Sequence, residues 1–435
     1  MGRIFGNRLR AERLSRGLTQ EQLGGPECSH SYVSLLERGV REPSMEILGG
    51  LARRLGLPPG ELEQWALQPT VQDQEYSLAA LHAWCAWDVG DYESAASHAL
   101  VAAQFARESR KDATVCEMNL LRAECLTRLG RHEQGRNLVN LLLANTLTSG
   151  NAGLRSEAHQ LSARMSLAEQ SFRGAAAQAQ EGLTQGAVLG EDSTVRLSAL
   201  HLVIRALLSE GHKEAAWRHC ELASDDVVPE RAPAHLRGRL AWVVGDVAFA
   251  RGQAKRGIER HERAVGLLRP QVDLKEWAAF NLSSARARLE AGVADDATLA
   301  CLDRAGSAQD ILGQDDPGTG NPGIGGEPQR ELRLLRAWWL HAQGRDSEAL
   351  DQLAPFEERS QRMDRLSSEA AFLGGRILLG LGAPDDALAR LALAQEGFFR
   401  LRNLRGAQGV ADLILDISRT RYANPSPALA HCAAS

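Results

Sequence analysis

The 435-residue sequence contains no uninterrupted apolar run of about 18 residues, the minimum for a membrane-spanning helix. Arg3, Arg8, Arg10, Arg13 and Arg16 open the chain with no apolar stretch behind them, so no signal peptide and no membrane partner are expected, and the protein is placed in the cytoplasm. Cysteine is sparse. Cys28, Cys85, Cys116, Cys125, Cys220, Cys301 and Cys432 are odd in number, scattered and never spaced as Cys-x-x-Cys, which reads as reduced thiols, mostly small core fillers. Neither sign of charge dominates: 50 Lys+Arg face 55 Asp+Glu, a net charge of -5, so a protein that coats nucleic acid over its whole surface is excluded and any contact with DNA must be local. Only four basic residues are lysine (Lys111, Lys213, Lys255, Lys275), and none follows a glycine-rich turn, which argues against a nucleotide-hydrolysing domain. H-E-x-x-H and G-x-S-x-G are also missing, so no enzyme and no cofactor are expected. His201, His212 and His219 lie 11 and 7 residues apart without Cys or Asp helpers, and no metal site is expected there.

Strand formers are few, whereas Ala, Leu, Arg, Glu and Gln dominate and apolar residues recur at helical spacing. With 44% hydrophobic and 24% charged residues the chain can bury a sizeable core, and the expected class is all-α. The front, residues 1–67, reads as five short helices. In the first, Phe5 to Arg16, the pattern turns Phe5, Leu9 and Leu14 inward. Thr19 caps the second, with Glu21 and Gln22 in the capping-box region, and Gly24-Gly25-Pro26 ends it. Ser29 caps the third, which Gly39 closes; the fourth runs from Ser44 to Leu55, and Gly56-Leu57-Pro58-Pro59 leads to Glu61-Leu62.

The strings Gly17-Leu18-Thr19-Gln20-Glu21-Gln22-Leu23, Ser29 through Glu37-Arg38-Gly39, Pro43-Ser44 and Leu51-Ala52-Arg53-Arg54-Leu55-Gly56 resemble the Xre/Cro-type helix-turn-helix of phage repressors and many bacterial regulators. The resemblance implies a lambda-repressor-like domain whose partner is a double-stranded DNA operator: helix two braces across the phosphate backbone and helix three enters the major groove. Residue by residue, it implies a phosphate contact for Gln20 and base readout by Ser29, His30 and Ser31, with Ser34 and Leu35 one turn later. Leu35 stands where relatives place a polar reader; contact with a thymine methyl and simple packing are both open, and Tyr32 favours packing. Arg38 and Arg41 suit phosphates. The link Gly24-Gly25-Pro26-Glu27 is one residue shorter than the commonest version.

Residues 68–75 read as a linker, and behind it the chain repeats. Turns start at Gly90, Gly130, Gln170, Gly211, Gly252, Gly292, Gly344 and Gly382, at steps of 38 to 41 residues with one of 52. Five positions after each stands a small residue: Ala95, Gly135, Ala175, Ala216, Gly257, Ala297, Ala349 and Ala387, where paired helices approach closely. This is similar to the tetratricopeptide repeat with a longer unit, which implies a right-handed α-solenoid over 76–402, a capping helix in 403–423 and a disordered tail at 424–435. The long step is a Gly/Pro-rich insertion, 314–329. Its formal G-x-G-x-x-G at 318–323 follows a helix rather than a strand and carries Pro322, so it reads as loop.

In such hairpins the first helix lines the groove. Six residues before the turns stand Trp84, Glu124, Arg164, Arg205, Asp246, Arg286, Trp338 and Arg376; ten before them stand Ala80, Leu120, Gln160, His201, Trp242, Leu282, Leu334 and Phe372. Guanidinium forks suit carboxylates and flat aromatics suit apolar side chains, so the candidate ligand residues are Trp84, Gln160, Arg164, His201, Arg205, Trp242, Asp246, Arg286 and Trp338. The competing reading pairs the arginines with Glu124, Glu157 and Glu369 on adjacent helices. The whole arrangement resembles the peptide-sensing regulators of bacterial quorum sensing, the RRNPP group, which implies a homodimer whose operator affinity changes when a short peptide fills the groove. The alternative is a DNA-tethered scaffold whose repeats recruit a protein partner.

Overall fold

The computed structural model describes residues 2–67, 71–109, 111–145, 150–223, 228–314, 326–357 and 364–423. Every regular element among them is helical. The chain divides into two compact units, Met1–Leu189 and Gly190–Ser435.

The first unit opens with α1 (Gly2–Ser15), α2 (Gln20–Gly24), α3 (His30–Glu37), α4 (Met45–Leu55) and α5 (Glu61–Leu67). Phe5, Leu9, Leu23, Val33, Leu36, Leu48, Leu51, Leu55, Leu62 and Trp65 form one buried core, each large side chain contributing about 1.5–3 kcal/mol of transfer free energy. Leu14 was expected inward but is 57% exposed. The inward stripe is Phe5, Leu9 and Arg13 at steps of four, and Arg13 takes the buried place because Glu37 satisfies its charge: Nε and Nη2 donate to the carboxylate at 2.5 and 3.0 Å, and Nη1 donates to the Leu18 carbonyl at 2.8 Å. Gly6 sits where a Cβ would meet the backbone carbonyl oxygen of Leu36 at 2.6 Å, so α1 and α3 touch backbone to backbone there.

The expected linker 68–75 is shorter than read, because α6 (Val71–Asp88) begins right after Pro69-Thr70 with no further breaker. Paired helices follow: α6 with α7 (Tyr92–Glu108), α8 (Asp112–Arg128) with α9 (His132–Leu143), and α10 (Ala152–Ala168) with α11 (Phe172–Gly186). The second unit holds α12 (Thr194–Ser209) with α13 (Lys213–Cys220), α14 (Ala234–Ala250) with α15 (Ala254–Leu267), α16 (Leu274–Glu290) with α17 (Asp296–Gln314), α18 (Glu327–Ala342) with α19 (Asp346–Glu357), and α20 (Arg365–Gly380) with α21 (Pro384–Arg400). Helix α22 (Leu404–Ala423) packs Ala407, Val410 and Ile417 on Leu391, Ala394 and Phe398 of α21. The middle of the Gly/Pro insertion, its G-x-G-x-x-G included, and the tail 424–435 lie outside the described residues.

Each turn anticipated from the sequence joins two helices. Seven start on glycine with φ between +71 and +90°, and the eighth on Gln170 with φ +59°. Left-handed φ lets the next amide reach back, as Asp91 N does to the Ala86 carbonyl at 2.9 Å, closing the helix C-terminus. A ninth such turn, at Arg402 with φ +54°, links α21 to α22 and carries no glycine to announce it. The small residues after the turns are buried: Ala95, Ala175, Ala216, Ala349 and Ala387 are fully covered, and a Cβ on Gly257 would come within 2.6 Å of the Phe249 ring. One position differs from the sequence reading. Ala297 is exposed and Thr298 takes the buried place, since the turn at Gly292 is longer; Thr298 satisfies its hydroxyl on Val293 O at 3.1 Å and Asp295 Oδ1 at 2.8 Å.

Four described cysteines, Cys116, Cys125, Cys220 and Cys301, are buried, Cys28 is half-buried and Cys85 is exposed. Burial pushes the Cys125 thiol up to about 11 and Cys220 up to about 12, which keeps both protonated at neutral pH.

Two substitutions test the turn-and-contact account. Gln170→Gly should raise stability by about 1 kcal/mol by relieving the left-handed backbone. Gly257→Ala should cost about 1–3 kcal/mol through overpacking on Phe249. Urea unfolding measures both, and a destabilised Gln170→Gly together with a neutral Gly257→Ala would contradict it.

Candidate functional site

Two places in the molecule bring candidate residues together, one in each unit. At the front, Thr19 and Gln22 make a capping box: the Thr19 side chain accepts from Gln22 N at 3.1 Å and Gln22 Oε1 accepts from Thr19 N at 2.8 Å. Ser29 caps α3, its hydroxyl accepting from Tyr32 N at 3.3 Å. That cap leaves Ser29, His30 and Ser31 exposed at the N-terminus of α3, with Ser34 and Leu35 half-buried one turn on and Arg38 and Arg41 exposed beyond. His30 Nε2 and the Ser31 hydroxyl are 3.3 Å apart, so the two act as one polar tip. Tyr32 is a packing residue, tied by its hydroxyl to Glu42 O at 3.0 Å. Arg38 folds back on Ser34 O at 3.2 Å.

Gln20, expected on a phosphate, donates through Nε2 to Glu37 Oε2 at 2.8 Å in the DNA-free chain. Glu37 therefore holds Arg13 of α1 and Gln20 of α2 from the end of α3. The hydrogen bond to Glu37 outweighs burial and lifts the Arg13 pKa above the ordinary arginine value, so this charge is permanent. A second clamp was not anticipated. Arg54 donates from Nη1 to the Leu23 and Gly24 carbonyls at 3.2 and 3.0 Å and forms an ion pair with Glu27, fixing the short turn between α2 and α3 on α4. Its sequence signal was an acid inside the turn and a basic pair at the end of helix four.

In the second unit, α12, α14 and α16 pack side by side. Their facing residues line a cavity of about 830 Å³. His201, Arg205, Trp242, Asp246 and Arg286, read from the sequence by counting back from the turns, all line its wall, together with the apolar Leu282. Behind the wall runs a buried polar chain. His261, fully buried, places Nε2 3.2 Å from Asp246 Oδ1 and 3.2 Å from Trp242 O, and Nδ1 3.1 Å from the Ser284 hydroxyl. Both acceptors at Nε2 require a proton there. The order Asp246, His261, Ser284 has the spacing of a nucleophilic relay, but Ser284 is only 1% exposed, so the chain fixes Asp246 rather than presenting a nucleophile. The Trp242 ring is fixed as well: Nε1 donates to Ser283 Oγ at 3.3 Å, and Phe280 stands edge-on with centroids 5.4 Å apart.

Arg286 is committed to carboxylates, donating to Glu331 at 2.7 Å and Glu369 at 2.9 Å. Burial acts to lower its pKa, yet Glu369 and Glu331 prevail and hold it above the ordinary value. The competing reading thus describes Arg286, and it also describes Arg164, which pairs with Glu124 at 3.2 Å in the first unit.

Four candidates lie elsewhere. Gln160 is fully buried, donating to Ser156 Oγ at 3.1 Å, and is a core residue. Trp338 packs against two adjacent cores on either side of α18. Trp84 is 42% exposed on α6 near exposed Leu78 and Leu81. Arg164 and these three are not among the residues around the cavity. Counting back from the turns found the wall residues on the first helices but missed Lys275 at the start of α16 and Gln309 on the second helix α17, which come from other register positions. Among the described residues no group of His, Cys, Asp and Glu could hold a metal ion, and no helix is long and apolar enough to cross a membrane.

Residues 4–65 match the family model of a helix-turn-helix domain, and the front module is such a domain. No curated protein sequence matches the chain. Among solved structures, Bacillus thuringiensis PlcR in complex with the peptide PapR7 and DNA aligns at TM-score 0.35 with 13% identity, over 72% of this chain and 97% of that one. A Rap protein complexed with competence and sporulation factor aligns at TM-score 0.38 with 12% identity, over 95% of this chain and 98% of that one.

Two measurements probe the front module. Arg13→Met, which strands Glu37 in the core, should cost about 3–5 kcal/mol in chemical unfolding; a neutral result would contradict the clamp. His30→Ala should change sequence preference, whereas Arg41→Ala should weaken binding to all DNA alike and lower the salt slope by about one. Identical profiles for the two variants would remove α3 as the reading helix.

Proposed function

We propose that the protein is a sequence-specific DNA-binding transcriptional regulator whose cavity in the second unit binds a short peptide effector, and whose operator affinity changes on binding. Recognition of DNA rests on the helix-turn-helix domain and on the exposed tip Ser29, His30 and Ser31 at the start of α3. Because half-sites lie about 34–36 Å apart, two recognition helices and hence a homodimer go with this reading.

One observation supports a peptide above all: residues of the cavity lining keep polar atoms unpaired. Gln309 Oε1 and Arg286 Nη2 are buried atoms of lining residues without a hydrogen-bond partner among the described residues, an acceptor and a donor that would meet a peptide N–H and C=O once the side chains turn into the cavity. Buried polar atoms are rarely left unpaired, because each costs about 1–3 kcal/mol. Trp242, Val243 and Leu282 supply apolar surface alongside. A coupling of about 1–3 kcal/mol between cavity and operator would suffice for a switch.

The scaffold reading has its own observation. Leu78, Leu81 and Trp84 on α6 are 50%, 58% and 42% exposed, an apolar surface suited to a protein partner or to the second copy.

The test is selection of bound fragments from a genomic library by purified protein at fixed salt, with and without a peptide-containing extract of source cells. A two-fold symmetric site whose occupancy responds to the extract in the wild type, but not in Trp242→Ala, is the expected result. A site indifferent to every extract would overturn the effector reading in favour of the scaffold.

A further inference from the structure

The cavity is unevenly paired in charge. Its acids each have a partner: Asp246 lies within hydrogen-bond distance of His261 Nε2 at 3.2 Å and of the Ser283 hydroxyl at 3.4 Å, Glu331 holds Arg286 at 2.7 Å and Arg365 at 3.7 Å, and Glu327 lies 3.9 Å from Arg365. Of its cations, Arg286 is taken by Glu331 and Glu369. Arg205 and Lys275 differ. Both line the cavity, both are exposed, and neither makes an ion pair or hydrogen bond with any described residue.

From this imbalance we infer that the effector is an acidic peptide, with one carboxylate on Arg205, a second on Lys275, and apolar side chains between them on Trp242 and Leu282. The inference rests on the peptide-effector reading and adds the chemistry of the ligand. An arginine fork suits the terminal carboxylate, which it can hold through two parallel hydrogen bonds, and the ammonium of Lys275 serves as a point charge for an acidic side chain.

The two cations cannot share one carboxylate. Arg205 lies near the C-terminal end of α12 and Lys275 in the first turn of α16, with α14 between them. Helix axes pack about 8–10 Å apart, so α12 and α16 are roughly 16–20 Å apart. Arg205 stands six residues before its turn and Lys275 seventeen before its own, an offset of about 16 Å along the helices at 1.5 Å per residue. After the reach of the side chains, an extended peptide of about five to seven residues at roughly 3.3 Å each spans that separation.

Two pools of synthetic heptapeptides test this. Both carry a central pentapeptide of Leu, Ile, Val, Phe and Ala in all orders. Both are N-acetylated; one begins with Asp and ends in Gly with a free carboxylate, and the other begins with Asn and ends in glycinamide. Binding to the full-length protein is measured by titration calorimetry and by shift of the unfolding temperature. The acidic pool should bind the wild type at least about tenfold tighter than the neutral pool, since a charge-assisted contact outweighs a neutral one. Arg205→Gln and Lys275→Gln should each weaken the acidic pool about tenfold and leave the neutral pool unchanged; neither residue holds another in place, so folding should be retained. Equal binding of the two pools, or charge-removing variants without effect, would overturn the acidic assignment while the peptide reading stands. No binding of either pool to the wild type would overturn the peptide reading and the assignment with it.

Discussion

The close approach of the two helices in each hairpin is the constraint from which the repeat architecture follows. It needs a residue with left-handed φ to reverse the chain and a small side chain five or six positions later to let the second helix lie down on the first. Where either is missing, the structure compensates locally. Gln170 adopts φ +59° without being glycine, and Thr298 occupies the contact at the longer turn by bonding its hydroxyl to Val293 and Asp295. Because contact residue and turn are fixed relative to each other, residues at a given distance before the turn fall on the same side of every first helix.

That phase relationship produces the cavity. On α12, α14 and α16 it aligns His201 with Arg205, Trp242 with Asp246 and Leu282 with Arg286, and packing of the three helices brings the pairs onto one wall. The wall is stiffened from behind. His261 ties Asp246 to Ser284 and to the Trp242 carbonyl, and a Cβ on Gly245 would collide with the His261 ring, so the imidazole has no room to move toward α14. Rigidity here would limit the entropy lost on holding a ligand, which is why the proposed recognition is placed on this face.

Much of this was legible in the sequence because local rules carried it. Caps at Thr19, Ser29 and Ser44, turn glycines and small contact residues each have a short-range cause, and the structure places them as those rules demand. What was not legible depended on tertiary partners. Arg13 displaced Leu14 from the inner face because Glu37, 24 positions away, was there to receive it. Gln160 shares its register position with Trp242 but is sealed in the core by α11, Gly182 lying against its side chain. Whether an arginine in the row is committed or open depends on the acids of other helices: Glu124 occupies Arg164 and Glu331 occupies Arg286, while Arg205 meets none among the described residues. The turn at Arg402 left no glycine to read.

The central claim is that the cavity and the operator-binding domain share one equilibrium. Linkage is reciprocal, so if a ligand in the cavity alters DNA affinity, DNA must alter the cavity. Hydrogen–deuterium exchange of the full-length protein, with and without a selected operator duplex and with no effector present, measures this directly. The account predicts changed protection in α12, α14 and α16 in addition to α3. Changes confined to residues 4–65 would contradict it, leaving a DNA-binding domain and a cavity that do not communicate.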